Sequence, residues 1–104
     1  MSNRISIKGV KVSTDHYING KRVSSEKKFT VINPNNPSEV LAEISRGDAE
    51  IAKLAVSAAR EGFNVWSEMS VDERASIMHR LADLIESNID DISLIECLDM
   101  GMRH

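Results

Sequence analysis

The chain has 104 residues, 41% of them hydrophobic and 28% charged, with 13 Lys and Arg against 16 Asp and Glu for a net charge of −3. That length allows one small domain with a thin core, because a chain of this size buries only about 60–70% of the surface its unfolded form exposes. The mild acidity argues against nucleic acid as a partner, since Lys and Arg gather only in the short runs Lys8–Lys11 and Lys27–Lys28. No run approaches the ~18 apolar residues of a membrane span, and no N-terminal apolar stretch resembles a signal peptide, so the expectation is a cytoplasmic chain with no membrane partner.

Residues 1–15, "MSNRISIKGVKVSTD", alternate weakly at Ile5, Ile7, Val10 and Val12, and Gly9 interrupts them, which predicts an extended tail. "HYINGKRV" places apolar residues on either side of Asn19-Gly20, a dipeptide that tolerates the positive φ values of a type I′ turn. A hairpin is predicted there, with strands at His16–Ile18 and Lys21–Val23. A second hairpin, Phe29–Asn33 with Val40–Ser45, follows from the β-branched run Thr30-Val31-Ile32, the turn formers of "NPNNPSE" and the alternation in "VLAEIS". Residues 16–46 thus form a β region that Gly47 ends.

From residue 47 the hydrophobic period changes from two to about 3.6, and residues 47–104 read as helical. Asp48 is an N-cap for a helix whose stripe is Ile51, Leu54, Ala55, Ala58 and Ala59, with Gly62-Phe63 predicted as its end and Trp66 in the connection. Ser70-Val71-Asp72-Glu73 has the pattern of a capping box. The helix it opens carries Ile77, Met78, Leu81, Leu84 and Ile85 on one face. Asn88 and Asp91 restart a third helix, with Ile92, Ile95 and Leu98, running to Gly101. The fold expected is two β-hairpins followed by about three α-helices in one partial domain.

Catalytic chemistry is hard to find in these residues. Cys97, the single cysteine, has apolar neighbours Leu94 and Leu98 and no His three or four positions away, the setting of an inert helix thiol. His16, His79 and His104 lack metal-ligand spacing. Asp72 and Glu73 stand in a first helical turn, where capping accounts for them. Each glycine is isolated, so no phosphate loop is present. The reading is no catalytic, cofactor-binding or metal residue in this chain.

The order of these signals carries more than any one of them. "YINGKRV", "FTVINPNNPSEVLAEIS", "AVSAAREGFNVWSEMSVDERASIMHRLADLIE" and "IECLDMG" resemble, in order and spacing, the N-terminal part of the aldehyde dehydrogenase superfamily, over about His16 to Gly101. The departures lie in turns and at the terminus: Pro37-Ser38 with one extra residue, Cys97 in place of a Thr, and Met102-Arg103 in place of Lys-Pro. The resemblance implies an α/β cofactor domain in the full-length protein. It also implies oxidation of an aldehyde to a carboxylic acid through a cysteine thiohemiacetal, with hydride transfer to NAD or NADP, in a protein that forms homo-oligomers.

In that family the nucleophilic Cys, the general-base Glu, the oxyanion Asn and the glycine motif lie further along the chain. Cys97 matches a structural position and not the nucleophile. Backbone carbonyls matching Val31 and Ile32 hold part of a monovalent-cation site in some members. The expectation is therefore an inactive N-terminal fragment that binds no cofactor alone, whose partner is the remainder of its own fold or another copy of itself. The alternative is a stand-alone helical protein-interaction module.

Overall fold

The computed structural model describes residues 4–101. Three antiparallel hairpins come first, each a separate two-stranded sheet. Strands β1 (Arg4–Ile7) and β2 (Val10–Ser13) pair around Lys8-Gly9, whose φ values of 51° and 88° are those of a left-handed turn. This corrects the expectation of two hairpins. Gly9, which breaks the alternation along the sequence, is the turn residue itself, and the apolar positions on either side of it belong to two strands. Among residues 1–15, Met1 to Asn3 lie outside the described residues.

Strands β3 (His16–Ile18) and β4 (Lys21–Val23) close on Asn19-Gly20 as expected, with φ of 52° and 72°. Tyr17 faces Arg22 across the pair, and the guanidinium carbon lies 4.7 Å from the ring centre. In the third hairpin β5 (Lys28–Asn33) turns through Pro34-Asn35 into β6 (Asn36–Ser45), a tighter turn and a longer strand than the turn formers suggest. The surplus residues are absorbed by register slips on both sides of Ile32, where Val31 faces Ala42, Ile32 faces Val40 and Asn33 faces Asn36. Pro37, which has no N–H to give a ladder, falls inside the slipped stretch.

Helix α1 (Ala49–Glu68) begins where Asp48 Oδ1 accepts the Ile51 amide at 2.9 Å. It runs straight through Gly62 and includes Trp66, which corrects the predicted end. The half-buried positions Ile51, Ala55 and Ala58 are three or four residues apart, and Trp66 falls about three helical turns after Ala55, so the same face is covered on both sides of Gly62. A glycine in mid-helix costs about 1 kcal/mol relative to alanine, too little to end a helix whose face goes on.

Helix α2 (Val71–Ser87) starts at Ser70, whose Oγ accepts the Glu73 amide at 3.1 Å. The Glu73 carboxylate accepts the Ser70 hydroxyl, also at 3.1 Å, so the two capping side chains bond to each other directly. Asn88 joins α2 to α3 (Ile89–Met100), its side chain donating back to the Leu84 carbonyl at 2.8 Å.

Among the described residues the buried ones are few: Ile18, Thr14 and Ser45, all in the hairpin region, with none in the three helices. The radius of gyration is 16.5 Å, where a compact domain of this length has about 13 Å. The accessible surface is 8215 Å², against roughly 5,800 Å² for a folded monomer of this mass.

The C-terminal end of α3 closes on the third hairpin. Gly101 takes φ 74°, its N–H bonds the Cys97 carbonyl, and its own carbonyl accepts Asn35 Nδ2 at 2.6 Å. A Cβ at Gly101 would meet Pro34 Cβ at 3.1 Å. Gly101→Ala therefore combines left-handed strain with a close contact to a rigid ring, and we expect it to destabilise this closure by about 1 kcal/mol or more. The check is amide exchange of the last turn of α3, which should speed up in the variant while that of α1 stays constant.

Candidate functional site

A densely connected polar group centres on Ser45, at the end of β6 and 5% exposed. Its amide donates to the Thr14 carbonyl at 3.0 Å, which joins β6 to the β2–β3 connection. Its hydroxyl oxygen accepts Lys28 Nζ at 2.9 Å and the Ser25 amide at 3.1 Å. With both lone pairs taken, the hydroxyl proton is left for Ser24 Oγ at 3.5 Å, which also accepts Lys28 Nζ at 2.8 Å. Beside this group His16 Nε2 and Ser25 Oγ share a hydrogen bond of 2.8 Å.

A serine with lysine and histidine nearby has the composition of a nucleophilic site, but not the geometry of one. In these bonds Lys28 is a donor with no lone pair to take the Ser45 proton, and His16 is bonded to a different serine. Ser45 is sealed by its own partners. The group is a polar knot tying three backbone segments together.

The other residues weighed on sequence grounds are scattered. Cys97 is half-buried on α3, His79 is exposed on α2, and His104 lies outside the described residues. Asp72 and Glu73 occupy the first turn of α2, Glu73 as a capping partner. Among the described residues no group of three or more His, Cys, Asp or Glu converges on a point that could hold a metal ion. None of the helices among them is long and apolar enough to cross a membrane.

One further polar cluster, not foreseen from the sequence, braces two hairpins. Glu39 in the slipped part of β6 pairs with Lys8 of the first turn at 3.2 Å and accepts Asn33 Nδ2 at 3.1 Å. The Asn33 bond, then the Lys8 bond and charge, hold the Glu39 carboxyl below the ordinary glutamate range.

What the structure offers most plainly is apolar surface. Leu54, Phe63 and Val65 on α1 are half or more exposed, and Ile77, Met78, Leu81, Leu84 and Ile85 on α2 are between 43% and 54% exposed. An open cavity of about 250 Å³ lies between the first and third hairpins and α3, walled by Ile7, Val12, Val31, Ile44, Ile95 and Leu98. The Ala stripe of α1 also meets an element: Ala55, Ala58 and Ala59 line a cleft against Tyr17, Ile18 and Asn19 of the second hairpin. Continuous apolar faces of this kind mark surfaces that bind something.

The sequence itself matches known proteins over most of its length. The model of the aldehyde dehydrogenase family matches residues 21–104. The 5-carboxymethyl-2-hydroxymuconate semialdehyde dehydrogenase of Escherichia coli is 43% identical over 89 residues, covering 85% of this chain and 19% of its own length. Aldehyde dehydrogenase family 2 member C4 of Arabidopsis thaliana is 41% identical over 92 residues, 85% of this chain and 18% of its own. A betaine aldehyde dehydrogenase of Vibrio vulnificus is 37% identical over 90 residues, with the same shares. The chain spans about a fifth of the length of these relatives.

Two outcomes follow from the polar clusters. Ser45→Ala leaves the Ser25 amide without its acceptor, and we expect a loss of about 1–3 kcal/mol, read as faster amide exchange at Ser25 and Ser45. For Glu39 the folded-state pKa is depressed. Its contribution is therefore complete above the unfolded pKa and is lost as pH falls through the folded value. Thermal midpoints of the wild type and Glu39→Gln should differ at neutral pH and converge in acid below the ordinary glutamate range. A difference that persists there would show that the charge is not what Glu39 contributes.

Proposed function

The chain belongs to the aldehyde dehydrogenase family, and on that premise we propose that it is the N-terminal packing segment of an NAD(P)-dependent enzyme that oxidises an aldehyde to a carboxylic acid. The observation that carries this reading is the unburied surface. The chain exposes 8215 Å², roughly 2,400 Å² more than a closed monomer of its mass, and no side chain of its three helices is buried. That excess is of the order of an obligate interface. The remainder of the family's fold is the cover that fits it. The relatives are named for unlike aldehydes, so the substrate class proposed goes no further than an aldehyde.

Oxidation of an aldehyde needs a nucleophile for the carbonyl carbon, donors for its oxygen and an acceptor for the hydride. The described residues do not fit a dinucleotide. A pyrophosphate is held by free amides at a helix N-terminus that follows a glycine-rich turn. Here the Asp48 carboxylate occupies the start of α1, Ser70 and Glu73 occupy that of α2, and Asp90 and Asp91 stand in the first turn of α3. Each helix start is thus negatively charged, and the start of α1 and of α2 is also capped. The sheets are antiparallel pairs, without the crevice at the ends of parallel strands where such cofactors lie. This segment's own work is structural: the hairpins fix the two ends of the helical run, and the helices present apolar faces for burial.

The test compares two proteins in an NAD(P)H formation assay with a panel of aldehydes. The 104-residue chain alone should match the blank. The same chain fused in frame to the remaining four-fifths of the Escherichia coli relative should turn over. Turnover by the chain alone that disappears in Cys97→Ala would overturn the proposal, as would a soluble, folded fusion with no activity.

A further inference from the structure

From the second hairpin we infer that Asn19 is a site of spontaneous backbone modification, converting through a succinimide to isoaspartate and aspartate, and that the conversion undocks this hairpin from α1. Asn19 and Gly20 are both exposed at the tip of a turn. The reaction requires the backbone nitrogen of the following residue to attack the side-chain carboxamide carbon. A new bond forms between Gly20 N and Asn19 Cγ, the Cγ–Nδ2 bond breaks, and the Gly20 amide proton leaves with the nitrogen as ammonia. Solvent water then opens the five-membered ring at either carbonyl, giving a carboxylate in the main chain's place or in the side chain's. No oxidant or reductant is consumed.

Glycine is the follower that permits this, because it has no Cβ to block the approach and its backbone reaches the required conformations freely. The other described asparagines are worse placed. Asn33 and Asn36 precede Pro34 and Pro37, which have no N–H to lose. Asn64 and Asn88 precede the β-branched Val65 and Ile89, Asn64 within α1 and Asn88 at the α2–α3 junction. Asn35 precedes Asn36, and its amide nitrogen is held on the Gly101 carbonyl.

The closed turn holds Asn19 at φ 52° and so opposes ring closure until the hairpin opens. The strands on either side have three residues each, and a two-stranded hairpin is marginal by itself. Opening is therefore frequent enough to let the reaction proceed. Its consequence reaches the core. Ile18, the residue before Asn19, is the buried apolar residue of this hairpin, and Tyr17, Ile18 and Asn19 face Ala55, Ala58 and Ala59 of α1. Isoaspartate lengthens the main chain by one methylene at the turn, which breaks the pairing of Ile18 with Lys21, and either product adds a negative charge beside the alanine stripe.

The experiment ages the full chain in warm, mildly alkaline buffer, digests it with trypsin and follows the peptide Val12–Lys21 by mass, with isoaspartyl methyltransferase as the probe for the rearranged product. Amide exchange at Ile18 is measured on the same samples. The peptide holding Asn19 should convert several-fold faster than those holding Asn35, Asn64 or Asn88. Ile18 exchange should rise with the converted fraction, and Asn19→Gln should hold both readouts at their starting values. Gly20→Ala is the second variant, expected to slow conversion even where it loosens the hairpin. Conversion at Asn35 as fast as at Asn19, or a converted hairpin with unchanged Ile18 exchange, would overturn the inference.

Discussion

The polar knot at Ser45 is the constraint on which the β region depends. Three hairpins that share no ladder have little backbone pairing to hold them together, and each alone is marginal. Ser45 supplies the link. Its amide takes the Thr14 carbonyl, and its hydroxyl takes the Ser25 amide and the Lys28 ammonium. One residue thus anchors the connection before β3, the connection after β4 and the start of β5 to the end of β6. The Arg46 amide adds a bond to the Lys27 carbonyl at 2.8 Å. The buried residues Thr14, Ile18 and Ser45 belong to this region, so the tightest part of the fold is held by hydrogen bonds, with little apolar core behind them. Such a network is stable only while every member has a partner.

The helices follow another logic. A helix in a protein draws most of its stability from burying an apolar stripe, and propensity and caps contribute less. Here the caps are made, at Asp48 for α1 and Ser70 for α2, while the stripes remain largely in water. Helical content and tertiary closure are thereby separated. The stripe of small residues on α1 is the exception, because alanines let the second hairpin approach closely. Among the described residues, the larger side chains of α2 have no comparable cleft against a hairpin.

Much of this was legible in the sequence where the signal is local. The Asn19-Gly20 turn, the Asp48 and Ser70 caps and the Gly101 stop each depend on a few consecutive residues, and each stands where the pattern puts it. Two glycines mislead for opposite reasons. Gly9 reads as a flaw in a strand and is a turn, while Gly62 reads as a stop and is an ordinary helical residue. What separates them is the placing of the neighbours: their alternation reverses phase at Gly9, whereas beyond Gly62 the covered face of the helix resumes at Trp66. The Ser45 knot and the Lys8–Glu39 pair were not legible, because serine at a strand end and a charge pair 31 residues apart have no local signature. For the site, the residues alone offered no chemistry. The family was legible only in the order of many weak motifs.

The helical run is tied down at its ends and open in its middle. At its start, His16 lies against Gly47, with a Cβ there only 3.4 Å from the imidazole, and the second hairpin lies along the alanines of α1. At its end, Asn35 grips the Gly101 carbonyl across 66 residues of sequence, and Leu94, Ile95, Cys97 and Leu98 are half-buried on α3. Between these anchors every residue of α2 is exposed apart from Arg74, which is half-buried. A strap held in this way cannot bury its middle by folding back on itself, since its ends are already committed to the hairpins. Ile77, Leu81, Leu84 and Ile85 accordingly stay between 43% and 53% exposed. In a member of the aldehyde dehydrogenase family, a cover supplied by the rest of the fold would place α2 as the helix through which this segment and the remainder are joined.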